Sequence, residues 1–158
     1  MTRMRLKHSS ALACALVAAW AATFGLGAAP AGAQGGVELK AAEFVSAAEL
    51  KEKLTGGRPV TLIDLRSADA YASSDGKVSG AIHIKERRLR ARLALPPLRD
   101  LARDAEVVTY CACPDDEAAV RAAQTLTSAG FKRVRVLKGG WRAWLDARGP
   151  VEAKPRGM

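Results

Sequence analysis

The chain is poor in cysteine. Cys14, Cys111 and Cys113 are the three that occur in 158 residues, which excludes the disulfide framework that replaces a core in many small exported domains. Cys111 and Cys113 are one residue apart, so a bond between them closes too short a loop to act as a structural staple. Residues 1–33 hold no Asp or Glu at all. Aromatic residues make up 5% of the chain, and none interrupts the basic run Lys85-Glu86-Arg87-Arg88-Leu89-Arg90-Ala91-Arg92. The stacking platform of a single-stranded nucleic-acid binder is therefore missing, and no nucleic-acid partner is expected. Residues 34–158 contain no internal repeat and no low-complexity segment, which excludes repeat arrays.

What the first 33 residues do hold is a pattern. Arg3, Arg5 and Lys7 precede an apolar stretch from Ala11 to Ala29, followed by Pro30-Ala31-Gly32-Ala33. A basic start, an apolar middle and small residues at Ala31 and Ala33 describe a secretory signal peptide cut after Ala33. The stretch is rich in Ala and Gly, so it makes a weak permanent span; an uncleaved anchor is the competing reading. Cys14 has too little of the apolar stretch before it to serve as a lipid attachment site. The expected location is periplasmic or secreted. Residues 34–40 read as a flexible lead, 41–152 as one domain and 153–158 as a loose tail. Removal of residues 1–33 takes three basic residues and leaves a net charge of +6, which favours anions and negative surfaces only weakly.

Within the domain, strand-like and helix-like segments alternate. Glu43-Phe44-Val45 is a strand candidate, and Ser46 with Glu49 forms a capping box for a helix to about Leu54. Val60 to Leu65 is an apolar run of strand length, suited to a strand buried on both faces. Ser67 caps a short helix through Tyr71, and Ala81 to Ile84 is another short strand. Residues 86–95 predict one helix with Leu89 and Leu93 inward, stopped by Pro96-Pro97. Glu106 to Tyr110 is a β-branched strand leading into Cys111. A helix over 116–128 carries Ala119, Ala122, Ala123 and Leu126 on one face and ends at Gly130. Val134 to Leu137 is a last strand, and Gly139-Gly140 turns into a helix over 141–147. The alternation predicts an α/β domain with a mainly parallel sheet covered on both faces.

Cys111 falls where a strand ends and before a helix begins. Open α/β sheets bind ligands at the carboxyl ends of strands, and a helix N-terminus favours a thiolate, the nucleophilic form. The alternative for such a cysteine is a buried, inert one.

The run Leu62-Ile63-Asp64-Leu65-Arg66, then Tyr71, then Gly80-Ala81-Ile82-His83-Ile84, resembles the N-terminal half of the rhodanese family. Tyr110-Cys111 before a helix, then Leu137-Lys138-Gly139-Gly140-Trp141-Arg142-Ala143-Trp144, resembles its C-terminal half. The resemblance spans roughly 43–152. It implies a single domain with a five-stranded, mainly parallel sheet and helices on both faces. It also implies sulfur transfer without metal or organic cofactor. Cys111 corresponds to the family's nucleophile, which takes a sulfane sulfur from a thiosulfate-like donor as a persulfide and passes it to a thiol or cyanide-like acceptor. The backbone N–H groups of Ala112, Cys113, Asp115, Asp116 and Glu117 would form the anion cradle, with Pro114 contributing none. Asp64 and Arg66 are architectural in the family, as are Gly139 and Gly140.

This chain departs from the family at two places. Lys77-Val78-Ser79 stands where His-Ile-Pro is usual. The loop Cys111-Ala112-Cys113-Pro114-Asp115-Asp116-Glu117 is acidic where active members are basic or glycine-rich, similar to a Cys-x-Cys-Pro-acid subset. The acids are expected to cap the helix and to oppose the thiolate. Cys113 has three readings: a thiol that attacks a persulfide or pairs with Cys111, half of a soft-metal site with too few ligands to be specific, or a loop filler. Lys138 is a candidate for the positive charge the loop lacks. His83, Trp141 and Trp144 read as packing residues. The basic run 87–92 reads as a solvated face able to meet an acidic partner or membrane surface. Two other classes of function stay open: a non-catalytic binding module and a thiol–disulfide redox protein. The sequence assigns no oligomeric state.

Overall fold

The computed structural model describes residues 42–155; the expected signal peptide and lead lie outside them. Within the described residues no helix is long and apolar enough to cross a membrane.

Five strands form one sheet: β1 (Glu43–Val45), β2 (Thr61–Asp64), β4 (Ile82–His83), β5 (Glu106–Tyr110) and β6 (Arg133–Leu137), in the spatial order β1-β6-β5-β2-β4. Every pairing is parallel. The central strands explain why. Leu62 and Val108 face one side, Ile63 and Val107 the other, and all four are buried. Strands apolar on both faces need cover on both faces, which parallel crossovers supply. On one face α4 (Glu117–Ser128) buries Ala119, Ala122, Ala123 and Leu126, as its spacing predicts. On the other, α1 (Ala47–Thr55) buries Leu50 and α5 (Gly140–Asp146) buries Trp144, whose Nε1 donates to Pro150 O at 3.1 Å. Small alanines on α4 let helix and sheet approach closely, so replacing one with a larger residue would overpack this face.

Local signals hold where they rest on side-chain oxygen. Ser46 Oγ accepts from Glu49 N at 3.1 Å, and Ser67 Oγ accepts from Ala70 N at 3.2 Å to start α2 (Ala68–Ala72). The side chain of Glu49 turns instead to Arg135, at 2.8 Å.

Two expectations need correction. Residues 86–95 do not form one helix. A 3-10 turn at Glu86–Arg88 precedes a single α turn, α3 (Leu89–Arg92). With only Leu89 fully buried here, a ten-residue segment lacks the packing that sustains a short helix. The expected loose tail also begins too early. Val151–Ala153 is a strand, β7, paired antiparallel with β3 (Gly76–Val78). Lys77 pairs with Glu152, whose other oxygen accepts from Gly80 N at 3.0 Å. Lys154 Nζ then donates to Tyr71 O and Ala72 O at 2.6 and 2.8 Å, a cation on the carbonyls that end α2. The alternation Val151-Glu152-Ala153 is too brief to announce a strand by itself.

Candidate active site

In a parallel sheet all carboxyl ends lie along one edge, so β2, β4 and β5 deliver residues 65–67, 84–87 and 111–113 to the same place. Leu65 N donates to Tyr110 O at 2.7 Å and joins the ends of β2 and β5.

At the end of β2, Arg66 and Asp64 form a wholly buried pair. Arg66 Nε donates to both Asp64 oxygens at 3.0 Å, and Nη2 donates to Oδ2 at 2.7 Å. Arg66 Nη1 donates to Ser74 Oγ at 2.8 Å and Nη2 to Gly76 O at 3.0 Å. Tyr110 OH donates to Asp64 Oδ2 at 2.9 Å and accepts from Val78 N at 3.2 Å. Burial first, and the Asp64 charge second, push the Tyr110 phenol far up, so it stays a donor. The guanidinium lies 4.2 Å from the Trp141 ring centroid and 5.0 Å from that of Tyr71. His83 stacks on Tyr71 at 3.8 Å, and its Nε2 sits 3.0 Å from Arg66 O. Asp64, Arg66 and Tyr110 are committed to one another.

At the end of β5, Cys111 is 1% exposed and bonded to Cys113 as a disulfide, with Cα atoms 5.7 Å apart. Trp141 N donates to Cys111 O at 2.8 Å. This contact needs Gly139 and Gly140, at φ +73° and +50°. A Cβ on Gly140 would lie 2.1 Å from Cys111 O, so any side chain there would push the cysteine loop away.

Asp116 corrects the expected role of the loop acids. It precedes α4 at φ 52°, ψ 17° and makes no side-chain cap. A capping carboxylate needs extended backbone to reach back to the helix N–H groups; the left-handed turn sends this one elsewhere. Its Oδ2 accepts from Gly139 N at 2.8 Å, so it stitches the cysteine loop to the turn before α5. Asp115 is exposed, and Glu117 is exposed and pairs with Arg121 at 3.2 Å. A left-handed Asp leaves no mark in a sequence, so the stitch is invisible there.

A cavity of about 500 Å³ opens over Cys111, Ala112 and Cys113, between Ser67-Ala68 and Lys85-Glu86-Arg87. Of the expected cradle, Ala112 and Cys113 line it. Asp115, Asp116 and Glu117 do not, and Asp116 N is taken up by Cys113 O at 3.3 Å. The three acids that were expected to oppose the thiolate therefore stand outside the cavity wall. Lys138 is not on that wall either; it is exposed beside β1, where its N–H donates to Val45 O at 3.0 Å. Positive charge comes instead from Lys85 and Arg87, both exposed on the wall and, among the described residues, without a carboxylate partner. Glu86 between them is held by Arg121 at 2.7 and 3.0 Å, and that hydrogen bond keeps its carboxyl below the usual range. The sequence did carry a signal for these residues. They follow β4 directly, and a parallel strand must point its successor at the ligand edge.

No group of three or more His, Cys, Asp or Glu able to hold a metal occurs among the described residues. Among the described residues the two sulfurs thus have no third ligand of that kind.

The Rhodanese-like domain family matches residues 46–147. The chain belongs to that family. Thiosulfate sulfurtransferase YnjE of Escherichia coli is 42% identical over 69 residues, covering 44% of this chain and 15% of that protein. The putative thiosulfate sulfurtransferase SseB of Mycobacterium tuberculosis is 32% identical over 134 residues, covering 69% of this chain and 46% of that one. The chain thus spans less than half the length of these curated relatives. Among solved structures, the Alr3790 protein from Anabaena is similar with a TM-score of 0.59 at 33% identity, over 70% of this chain and 82% of that one. Sequence and architecture together make this a rhodanese-like domain whose cysteine lies at the carboxyl edge of a five-stranded parallel sheet.

Proposed function

We propose that this rhodanese-like domain is an exported sulfurtransferase acting in the periplasm or outside the cell, with Cys111 as its nucleophile. The observation that carries the reading is the cavity over Cys111, walled by Lys85 and Arg87. Unpaired cations at its rim favour an anionic sulfur donor such as thiosulfate. Reduction of the disulfide frees the Cys111 thiolate. The thiolate attacks the sulfane sulfur, the sulfur–sulfur bond of the donor breaks, and sulfite leaves with the electron pair. The resulting persulfide passes its outer sulfur to a thiol or cyanide-like acceptor. The Arg87–Arg92 face extends the positive field and would draw an acidic partner or an anionic surface weakly.

A second reading, thiol–disulfide exchange, is favoured by the Cys111–Cys113 bond itself. One experiment separates the readings. Reduced protein, freed of reductant, is mixed with thiosulfate and sulfite is counted. One sulfite per chain, absent in Cys111→Ser, supports transfer. No sulfite from the wild type ends the transferase reading and leaves the redox protein and the non-catalytic module.

A further inference from the structure

Three features compete for a role beyond simple transfer: the clasp between β3 and β7, the basic surface over 85–92, and the second sulfur of the active-site loop. The clasp explains itself as structure. The basic surface shows no feature that specifies one partner. Cys113 packs against the core on the α4 side, its sulfur is bonded to the proposed nucleophile, and the loop does not need that bond to hold its shape.

That last point follows from the loop's other restraints. Trp141 N holds Cys111 O, Leu65 N holds Tyr110 O, and Asp116 holds Gly139 N. Each lies within or against the loop and none depends on sulfur. A bond closing a ring across one intervening residue adds little constraint to the unfolded chain. The loop is held without the sulfur–sulfur bond, yet Cys113 lines the cavity and its sulfur reaches Cys111 Sγ.

We propose that Cys113 is a resolving thiol, which turns the domain from a sulfur carrier into a sulfane-sulfur reductase that releases hydrosulfide. The proposal rests on the transferase reading for its first step. Once Cys111 carries the persulfide, two sulfurs are open to attack. An acceptor from solvent meets the outer one. Cys113 meets the inner one, Cys111 Sγ, since that is the atom it is bonded to in the structure. Attack there by the Cys113 thiolate forms the Cys111–Cys113 bond and breaks the bond to the outer sulfur. The outer sulfur departs with the electron pair and takes a proton from water as hydrosulfide. The sulfane sulfur is reduced, and the two cysteines together supply the two electrons. The disulfide in the structure is then the end state of a turnover, and a dithiol reductant must reopen it.

Exposure orders that reopening. Cys113 is partly exposed and Cys111 buried, so an external dithiol attacks Cys113 and expels Cys111 as thiolate. The expelled group shares the cavity wall with Ala118 in the first turn of the twelve-residue α4, and a thiolate beside a helix N-terminus is favoured as leaving group. Each cycle thus regenerates the nucleophile and frees Cys113 when the mixed disulfide resolves with the reductant's second thiol.

The test is a single turnover of the reduced, desalted chain with one equivalent of thiosulfate. Sulfite, sulfide and intact mass are read together. The proposal expects one sulfite and one sulfide per wild-type chain, with the protein ending two hydrogens lighter than its reduced form. Cys113→Ser is expected to release sulfite, gain the mass of one sulfur and lose sulfide release by at least about a hundredfold, since an intramolecular thiol acts at high effective concentration. A wild type that keeps the added sulfur and releases no sulfide overturns the proposal while leaving the transferase reading standing. Equal sulfide release from wild type and Cys113→Ser also overturns it. Absence of sulfite from the wild type removes both readings at once. The wild-type arm decides without the variant, so a folding defect in Cys113→Ser does not protect the proposal.

Discussion

The ends of β2 and β5 lie side by side, joined by Leu65 N–H to Tyr110 O, yet they are finished in different ways. Beyond β2, Asp64 and Arg66 are enclosed, hydrogen-bonded on several sides and stacked against Trp141 and Tyr71. Beyond β5, the chain places the Cys111–Cys113 pair at a cavity and holds it by three backbone N–H contacts. Polar groups that satisfy one another form a fixed wall. Polar and nucleophilic groups left facing a cavity are available to a ligand. Charge alone does not separate the two: the buried Arg66 is tied into the scaffold, and Lys85 and Arg87 are exposed on the cavity wall.

The comparison predicts two severe and different failures. Cys111→Ser should lose sulfite release by more than about a thousandfold, because the proposed covalent step runs through the Cys111 sulfur. Arg66→Ala should instead cost about 3–5 kcal/mol of stability by leaving Asp64 buried and unpaired. Denaturant unfolding checks the second, and the double variant Asp64→Asn with Arg66→Met should cost less than Arg66→Ala alone. If Arg66→Ala unfolds near the wild-type midpoint and loses only activity, the division between wall and working loop is wrong.

How much of this division was legible beforehand depended on distance along the chain. Apolar runs and caps are local, so β2, β5, α1, α4 and the place of Cys111 could be read from the sequence. The clasp of residues 76–78 with 151–153 could not, because neither partner has enough periodicity without the other. Asp116 was expected to cap α4 by its residue type; its left-handed backbone turns the carboxylate to Gly139 N and gives it a different task. Lys138 was nominated for its place at a strand end, but β6 lies two strands away from β2, on the far side of β5. Lys85 and Arg87 follow β4, which flanks β2 and shares the cavity with it. Strand order is a tertiary fact, and it decided which cations share a cavity with Cys111.

Gly140→Ala probes how the fixed wall positions the working loop. Its φ of +50° and the 2.1 Å approach to Cys111 O predict a stability loss of about 1–3 kcal/mol. A displaced Cys111 should also slow sulfite release about a hundredfold, seen as a fall in kcat beyond the change in folded fraction. A smaller change comes next. Lys85→Ala or Arg87→Ala should lower kcat/KM for thiosulfate about tenfold, mainly through KM, and flatten its salt dependence. Lys138→Ala should leave both unaffected. Equal effects from Lys138 and Arg87 would undo the assignment of charge to the cavity wall.

The smallest effect concerns the backing of the wall. Gly76 O accepts from Arg66, and β3, which carries Gly76, is clasped by β7 through Lys77 and Glu152. The hydrogen bond from Lys77, and next that from Gly80 N, hold the Glu152 carboxyl below its usual range. A depressed carboxylate contributes stability that is present above its unfolded value, about 4.3, and is lost as pH falls through the folded value. The clasp should therefore loosen only on the acid side of the ordinary glutamate range. Glu152 is nearly half exposed, so the change should be local and should weaken in salt. Amide-exchange protection of residues 76–78, corrected for intrinsic rates, should fall with acid in the wild type and stay level in Glu152→Gln. The same acid step should leave the Trp141 amide, which holds Cys111 O, protected to the same degree in both proteins. If the two amides lose protection together, the wall and the loop open as one unit, and the contrast between the strand ends is one of chemistry without a difference in cooperativity.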